Sequence, residues 1–265
     1  MKKTSLLKYI CLIFSVLTLF NSAIPVFAAS SDTVAYNWYT KRNDTHTLSP
    51  LDNNLKFITE YNAVYGDTKA SEQGDKVIYL TFDAGYENGN VEKILDVLKE
   101  KNVSGAFFIL TYLVKNNTEL VKRMSDEGHL VCNHTSTHSD MSQKTDIESF
   151  KSELEALESV YNEYTGKTLS KYFRPPEGRF SLDSMRYANE LGYKTIFWSF
   201  AYADWDNNDQ MSPQAAKQKI LDNIHNGAIL LLHPTSATNA AILGDIIDEL
   251  RTQGYTFGTL NDLTA

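Results

Sequence analysis

The chain has 265 residues, with 25 Lys and Arg against 33 Asp and Glu, a formal net charge of −8, and 42% hydrophobic residues. That balance repels nucleic acid and anionic membrane surfaces, so no nucleic-acid partner is expected and neutral or locally recognised substrates are favoured. No internal repeat, low-complexity tract or coiled coil interrupts the sequence.

The first 28 residues carry Lys2, Lys3 and Lys8, an apolar stretch from Tyr9 to Phe20, and then Val26-Phe27-Ala28. This pattern predicts a signal peptide over residues 1–28, export across the cytoplasmic membrane, and a mature chain starting at Ala29. A retained anchor is the competing reading; against it, the apolar core is short of the ~20 residues needed to span a bilayer. Removing the segment leaves 237 residues, enough for one catalytic domain; it carries three Lys and no acid, so the mature net charge becomes −11. Cys11 leaves with it, and Cys132, alone in an apolar run, reads as a buried thiol with no disulfide partner.

Residues 29–75 are polar with scattered aromatics, among them Trp38, Tyr39 and Tyr65, and hold one predicted helix near residues 51–61. They read as an irregular arm or cap. From residue 76 to 265 apolar runs alternate with amphipathic ones, the pattern of βα units around a parallel sheet. Strand-like runs fall at 77–82, 105–110, 130–133, 172–174, 195–199, 228–232 and 256–260. Helical spacing appears at Val91, Ile94, Leu95 and Leu98, at Leu154, Leu157 and Tyr161, and at Ile242, Ile246, Ile247 and Leu250. Gly128, Gly192, Gly227 and Gly254 precede strands, where helix C-caps are expected. The fold class is therefore α/β: a distorted (β/α) barrel of about seven parallel strands with an irregular N-terminal arm. An open doubly wound sheet is the alternative.

Polar residues stand at the carboxyl ends of successive strands: Asp83, His134, Arg174, Ser199 with Asp204 beyond it, and His233. Each alone has an ordinary explanation, such as a helix cap or a rim ion pair, but in α/β folds these ends form one open rim. His134 and His138 are spaced i, i+4, which on a helical turn lets both rings approach one cation. Two imidazoles alone make a weak site. With a carboxylate and water a divalent ion could activate a water molecule, and Asp83 would take its proton.

Five ordered motifs resemble the polysaccharide deacetylases, the carbohydrate esterases that share a NodB-homology domain. They are Thr81-Phe82-Asp83 with Gly85, His134-Thr135-Ser136-Thr137-His138, Arg174-Pro175-Pro176, Asp204-Trp205, and Leu231-Leu232-His233-Pro234. The resemblance covers the barrel. It implies that Asp83 is the base, that His134 and His138 hold a divalent metal ion, and that Arg174 steers the base. It also implies that His233 is the general acid, that Asp204 orients and charges it, and that Trp205 walls the acetyl pocket. Ala84 departs from the pattern, because most members carry a second Asp there as a metal ligand. A weakly held ion, of identity the sequence does not give, is therefore expected.

A narrower resemblance lies in Trp38-Tyr39-Thr40-Lys41-Arg42-Asn43 and His46, followed by Tyr79-Leu80-Thr81-Phe82-Asp83-Ala84-Gly85-Tyr86-Glu87-Asn88-Gly89. These resemble the peptidoglycan deacetylases that make muramic δ-lactam in spore cortex, a branch that also lacks the second Asp. That implies removal of acetyl from N-acetylmuramic acid in glycan strands whose stem peptide an amidase has already removed, in the cell wall or the forespore intermembrane space, with no obligate protein partner. Tyr86 is expected to contact substrate. Arg179 is expected to read the lactyl carboxylate through a two-pronged contact, with an ion pair to Glu177 or Asp183 as the alternative. Two rival readings stand: an N-acetylglucosamine deacetylase acting on peptidoglycan or chitin-like oligomers, and a non-catalytic glycan binder, favoured only by Ala84.

Overall fold

The computed structural model describes residues 32–43 and 45–263. The expected signal peptide lies outside them. No helix among the described residues is long and apolar enough to cross a membrane. The strands are β1 (Tyr36–Asn37), β2 (Ala63–Val64), β3 (Val77–Ala84), β4 (Ala106–Ile109), β5 (Leu130–Asn133), β6 (Ser170–Phe173), β7 (Arg179–Phe180), β8 (Lys194–Ile196), β9 (Ala228–Leu232) and β10 (Thr256–Gly258). The helices are α1 (Thr68–Gln73), α2 (Val91–Lys101), α3 (Thr111–Asn116), α4 (Thr118–Asp126), α5 (Ile147–Thr165), α6 (Leu182–Glu190), α7 (Pro213–Leu221) and α8 (Ala237–Thr252).

All seven expected strand runs form, and all pair in parallel. β3, β4, β5, β6 and β8 lie side by side, while β9 and the short β10 pair with β3. The sheet curls until the segment after β8 meets β9. Phe200 bridges Leu230 there, and the Leu231 N–H donates to the Phe200 carbonyl at 2.9 Å. The result is the expected distorted barrel, closed along one seam by isolated bridges.

Strand alternation then sorts the side chains, because successive residues face opposite sides of a sheet. Ile78, Leu80, Phe82 and Ala84 join the core beneath the helices, together with Ile94, Leu98, Ile246 and Leu250. Tyr79, Phe108, Cys132, Ile196 and Ile229 fill the interior. Continuing the interior phase past the core brings Thr81 and Asp83 on β3, His134 after β5, Arg174 after β6, Trp198 after β8, and His233 after β9 to the upper rim.

The arm is more ordered than its polar sequence indicates. The expected helix forms as a 3₁₀ helix at Asn53–Tyr61, while β1, β2 and α1 were not legible. β1 pairs antiparallel with β7. β2 pairs parallel with β8, and Gly66 bridges Ala228, so the arm supplies the strand that fills the lower part of the seam. Asp67 N–H donates to the Gly227 carbonyl at 2.8 Å; Gly227 has φ 73°, and a Cβ there would lie 2.3 Å from the Asp67 carbonyl oxygen. Only glycine fits that approach.

Candidate active site

Arg174 is the foundation of the rim. Its side chain is wholly buried, and every face of the guanidinium is engaged. Nε donates to the Ile196 carbonyl at 2.9 Å, and Nη2 to Thr81 Oγ1 at 2.8 Å and the Phe197 carbonyl at 3.2 Å. Nη1 donates to Asp83 Oδ1 at 2.7 Å, and the group lies 4.2 Å from the centre of the Phe108 ring. Burial pushes the Asp83 carboxyl upward, but the Arg174 charge, helped by His134 and His233, outweighs it and holds Asp83 below the ordinary carboxylate range. Asp83 is therefore a fixed, ionised acceptor.

His134 sits beside it. Its Nδ1 lies 2.9 Å from the Arg174 carbonyl, which can only accept, so Nδ1 carries the hydrogen and Nε2 presents a lone pair 3.6 Å from Asp83 Oδ2. Burial drives its pKa down to about 4, with Asp83 opposing, which keeps the ring neutral. The His138 ring lies 5.1 Å away, edge-on at 73°. The expected helical turn between them is absent. Thr135 and His138 adopt φ 73° and 60°, the Thr135 N–H donates to Asn133 Oδ1, and the His138 N–H donates to Thr135 Oγ1. Local side-chain bonds replace the helical ladder, and a loop brings the rings together instead.

A neutral imidazole with its far nitrogen anchored to a carbonyl is the form that binds a cation. Ala84 lies on the helix-facing side of β3 and offers no donor; among the described residues no set of three or more His, Cys, Asp and Glu side chains is arranged around one ion position. The donor set fits a two-imidazole site that needs water to complete it.

Across the opening, His233 Nδ1 lies 2.7 Å from Asp204 Oδ1, and the His233 N–H donates to Asp204 Oδ2 at 2.8 Å. Burial disfavours the imidazolium, but the hydrogen bond and charge of Asp204, with Asp83 adding, raise its pKa above the ordinary value. Two further residues complete this side, and the sequence reading passed over both. Asn239 Nδ2 donates to Asp204 Oδ2 at 2.6 Å and to the His233 carbonyl at 3.1 Å, and Tyr202 OH donates to Asn239 Oδ1. A signal for Asn239 existed, since stepping back from Leu250, Ile246 and Leu243 at helical spacing reaches it on the buried face of α8.

Asp83, His134, His138, Tyr202 and His233 border one cleft of about 630 Å³, with Arg174, Asp204 and Asn239 buried behind them; Tyr86, Trp198, Trp205, Leu231 and the exposed Glu177 also wall it. Trp205 is 60% exposed and packs edge-on to His233 at 6.1 Å. Tyr86 accepts a bond from Asn207 Nδ2 at 2.6 Å. Arg179 is not among the lining residues; its Nε lies 2.8 Å from Asp140 Oδ2, at an angle that makes no hydrogen bond, and neither Glu177 nor Asp183 is its partner. Ser199 Oγ accepts from the Ile229 N–H at 3.1 Å in the seam. Cys132 is buried in the barrel interior, where burial pushes its thiol far up and keeps it protonated.

Residues 70–196 match the family model described as polysaccharide deacetylase. The peptidoglycan-N-acetylmuramic acid deacetylase PdaA of Bacillus subtilis is 43% identical over 229 residues, 86% of this chain and 85% of its own length. Its solved structure, described as a family 4 carbohydrate esterase, superposes with a TM-score of 0.81 over 87% of this chain and 97% of that one. A family 4 carbohydrate esterase from Bacillus anthracis is 38% identical, with a TM-score of 0.71 over 89% of this chain and 98% of its own. A peptidoglycan-N-acetylglucosamine deacetylase of Bacillus cereus is 28% identical over 229 residues, 85% of this chain and 78% of its length.

Proposed function

Because the chain belongs to the polysaccharide deacetylase family, we propose that its cleft removes the acetyl group from N-acetylmuramic acid in peptidoglycan. The observation that carries this reading is the pairing of a fixed carboxylate beside two imidazoles, on one side, with the His233–Asp204 pair on the other. Hydrolysis forms a bond from water oxygen to the acetyl carbon and breaks the bond to nitrogen, releasing acetate and a free amine. One side must accept a proton and the other must donate one.

Asp83, kept ionised by Arg174, takes the proton from the attacking water. His233, kept protonated by Asp204, gives a proton to the departing amine, and Asn239 with Tyr202 fixes the Asp204 carboxylate. Trp205, Tyr86 and Leu231 wall the acetyl-bearing ring. His134 and His138 would hold a divalent cation, which when bound supplies Lewis acidity to the acetyl carbonyl and the attacking water. With Ala84 in place of a second Asp that would be the third protein ligand, activity should depend on added ion and not survive exhaustive dialysis.

The finer reading takes the substrate as strands already stripped of stem peptide, after which the freed amine can close on the lactyl carboxylate with loss of water, giving the δ-lactam of spore cortex. Export by residues 1–28, followed by work in the cell wall or forespore intermembrane space, belongs to the same proposal, as does a catalytic domain over 76–265. One observation favours the glucosaminyl rival. Glu177 faces the cleft while Arg179 stands beside Asp140, so reading a lactyl carboxylate would require Arg179 to leave that partner.

The test is mass spectrometry of peptide-free and peptide-bearing strands incubated with the protein, with and without divalent ion. Loss of acetyl from muramyl units supports the proposal, and loss confined to glucosamine overturns the substrate assignment. Asp83→Asn should cost about 10²–10⁴ in rate, the worth of a general base.

A further inference from the structure

The catalytic cleft does not end at Tyr86. A second, open groove of about 600 Å³ runs on from it, sharing Gly85, Tyr86 and Leu110 as a common wall and continuing to Tyr112, Asn116 and Asn117. Tyr112 is 60% exposed, although Leu113 and Val114 beside it in α3 are fully buried. Tyr86 and Trp205, at 41% and 60%, are the other exposed rings of this trough. A large aromatic side chain left bare at the edge of a cleft offers a face for a flat apolar surface.

Among the described residues Glu87 is the one charged residue lining the groove, and its carboxylate oxygens accept backbone N–H groups from Gly89 and from Val91 at the start of α2, so the groove holds no cation to draw an anionic sugar. Asn116 Nδ2 donates to the Tyr112 carbonyl at 2.8 Å and leaves its Oδ1 available, and the Asn117 side chain borders the groove without capping α4. A ring face flanked by neutral amides suits an uncharged sugar, whose C–H face stacks while its hydroxyl and acetamido groups hydrogen-bond.

The groove is also tied to the reacting groups. Thr111, beside Tyr112, bonds to Ser136 through the two hydroxyls at 2.8 Å and through its N–H to the Ser136 carbonyl at 3.4 Å. Ser136 belongs to the loop that holds His134 and His138. A ring seated on Tyr112 is thus held in fixed relation to those histidines, and it adds binding that ground state and transition state share.

We propose that this groove is a subsite for the N-acetylglucosaminyl unit adjoining the muramyl unit, with Tyr112 as its stacking platform. The inference rests on the deacetylase reading above. Peptidoglycan alternates the two sugars, so the neighbour of an anionic muramyl unit is neutral, as the groove requires.

The test compares wild type, Tyr112→Ala and Tyr112→Phe on N-acetylmuramic acid and on a peptide-free tetrasaccharide of alternating units. In Tyr112→Ala, KM for the tetrasaccharide should rise about three- to tenfold, the worth of one stacked ring, with kcat and the monosaccharide reaction unchanged. Tyr112→Phe should behave as wild type. Equal effects on both substrates, or none on the tetrasaccharide, would overturn the subsite. Calorimetric titration with the tetrasaccharide reads the seat without catalysis. Weaker binding by Tyr112→Ala with no turnover by wild type would keep the seat and overturn the deacetylase reading, whereas equal binding by both would overturn the seat.

Discussion

The two oxygens of Asp204 are fully committed, Oδ1 to His233 Nδ1 and Oδ2 to the His233 N–H and Asn239 Nδ2. Tyr202 fixes the Asn239 amide, because its hydroxyl donates to Oδ1 and so turns Nδ2 toward the carboxylate. The chain of contacts has a consequence for pH. Burial lowers the His233 pKa while Asp204 and Asp83 together raise it beyond the ordinary 6.5, so the acid form persists above that pH and is lost as pH rises through the elevated value. In Asp204→Asn burial remains without its counter-charge, and the alkaline limb of kcat should move toward lower pH. Asn239→Ala should lower kcat about 10- to 100-fold with KM unchanged, as expected for a lost hydrogen bond to a charged group, and should also displace that limb. A pH–rate profile that keeps its alkaline limb in both variants would contradict the assignment of His233 as acid.

Elements carry these residues with unequal legibility. The run Val77 to Ala84 is readable because an uninterrupted apolar strand ending in one carboxylate marks both the sheet and its rim, and period-two counting from Tyr79 through Thr81 puts Asp83 inside. The same counting reaches Arg174 from Tyr172 and His233 from Ile229. The histidine loop is only half legible: the spacing points to adjacent rings, whereas the left-handed backbone at Thr135 and His138 depends on bonds from Asn133 and Thr135 that no periodicity announces. β1 and β2 span two residues each, too short for alternation to register. Trp38 gives the arm its hold. It is buried, stacks on Phe197 at 4.5 Å, and donates from Nε1 to the Trp198 carbonyl at 2.9 Å, next to the cleft wall. Trp38→Ala should therefore destabilise the protein by about 3–5 kcal/mol in denaturant unfolding, and Trp38→Phe by less.

For the molecule as a whole, the barrel and the arm share one closure. A chain beginning at residue 76 would lack β2, Asp67 and Trp38, exposing the β8 edge and the ring of Phe197. Its thermal unfolding should be at lower temperature and less cooperative than that of the chain from Ala29, and it should self-associate through the bare strand. An equal melting temperature for both would mean that the arm only decorates the barrel. The position of β2 also sets an order in time. Val64 pairs beside Ile196, and Gly66 beside Ala228, so a segment made early has no partner until nearly all the rest has followed. A chain still being made cannot shut its barrel. Contacts so distant in sequence close slowly, and β2 waits unpaired until β8 and β9 exist to receive it.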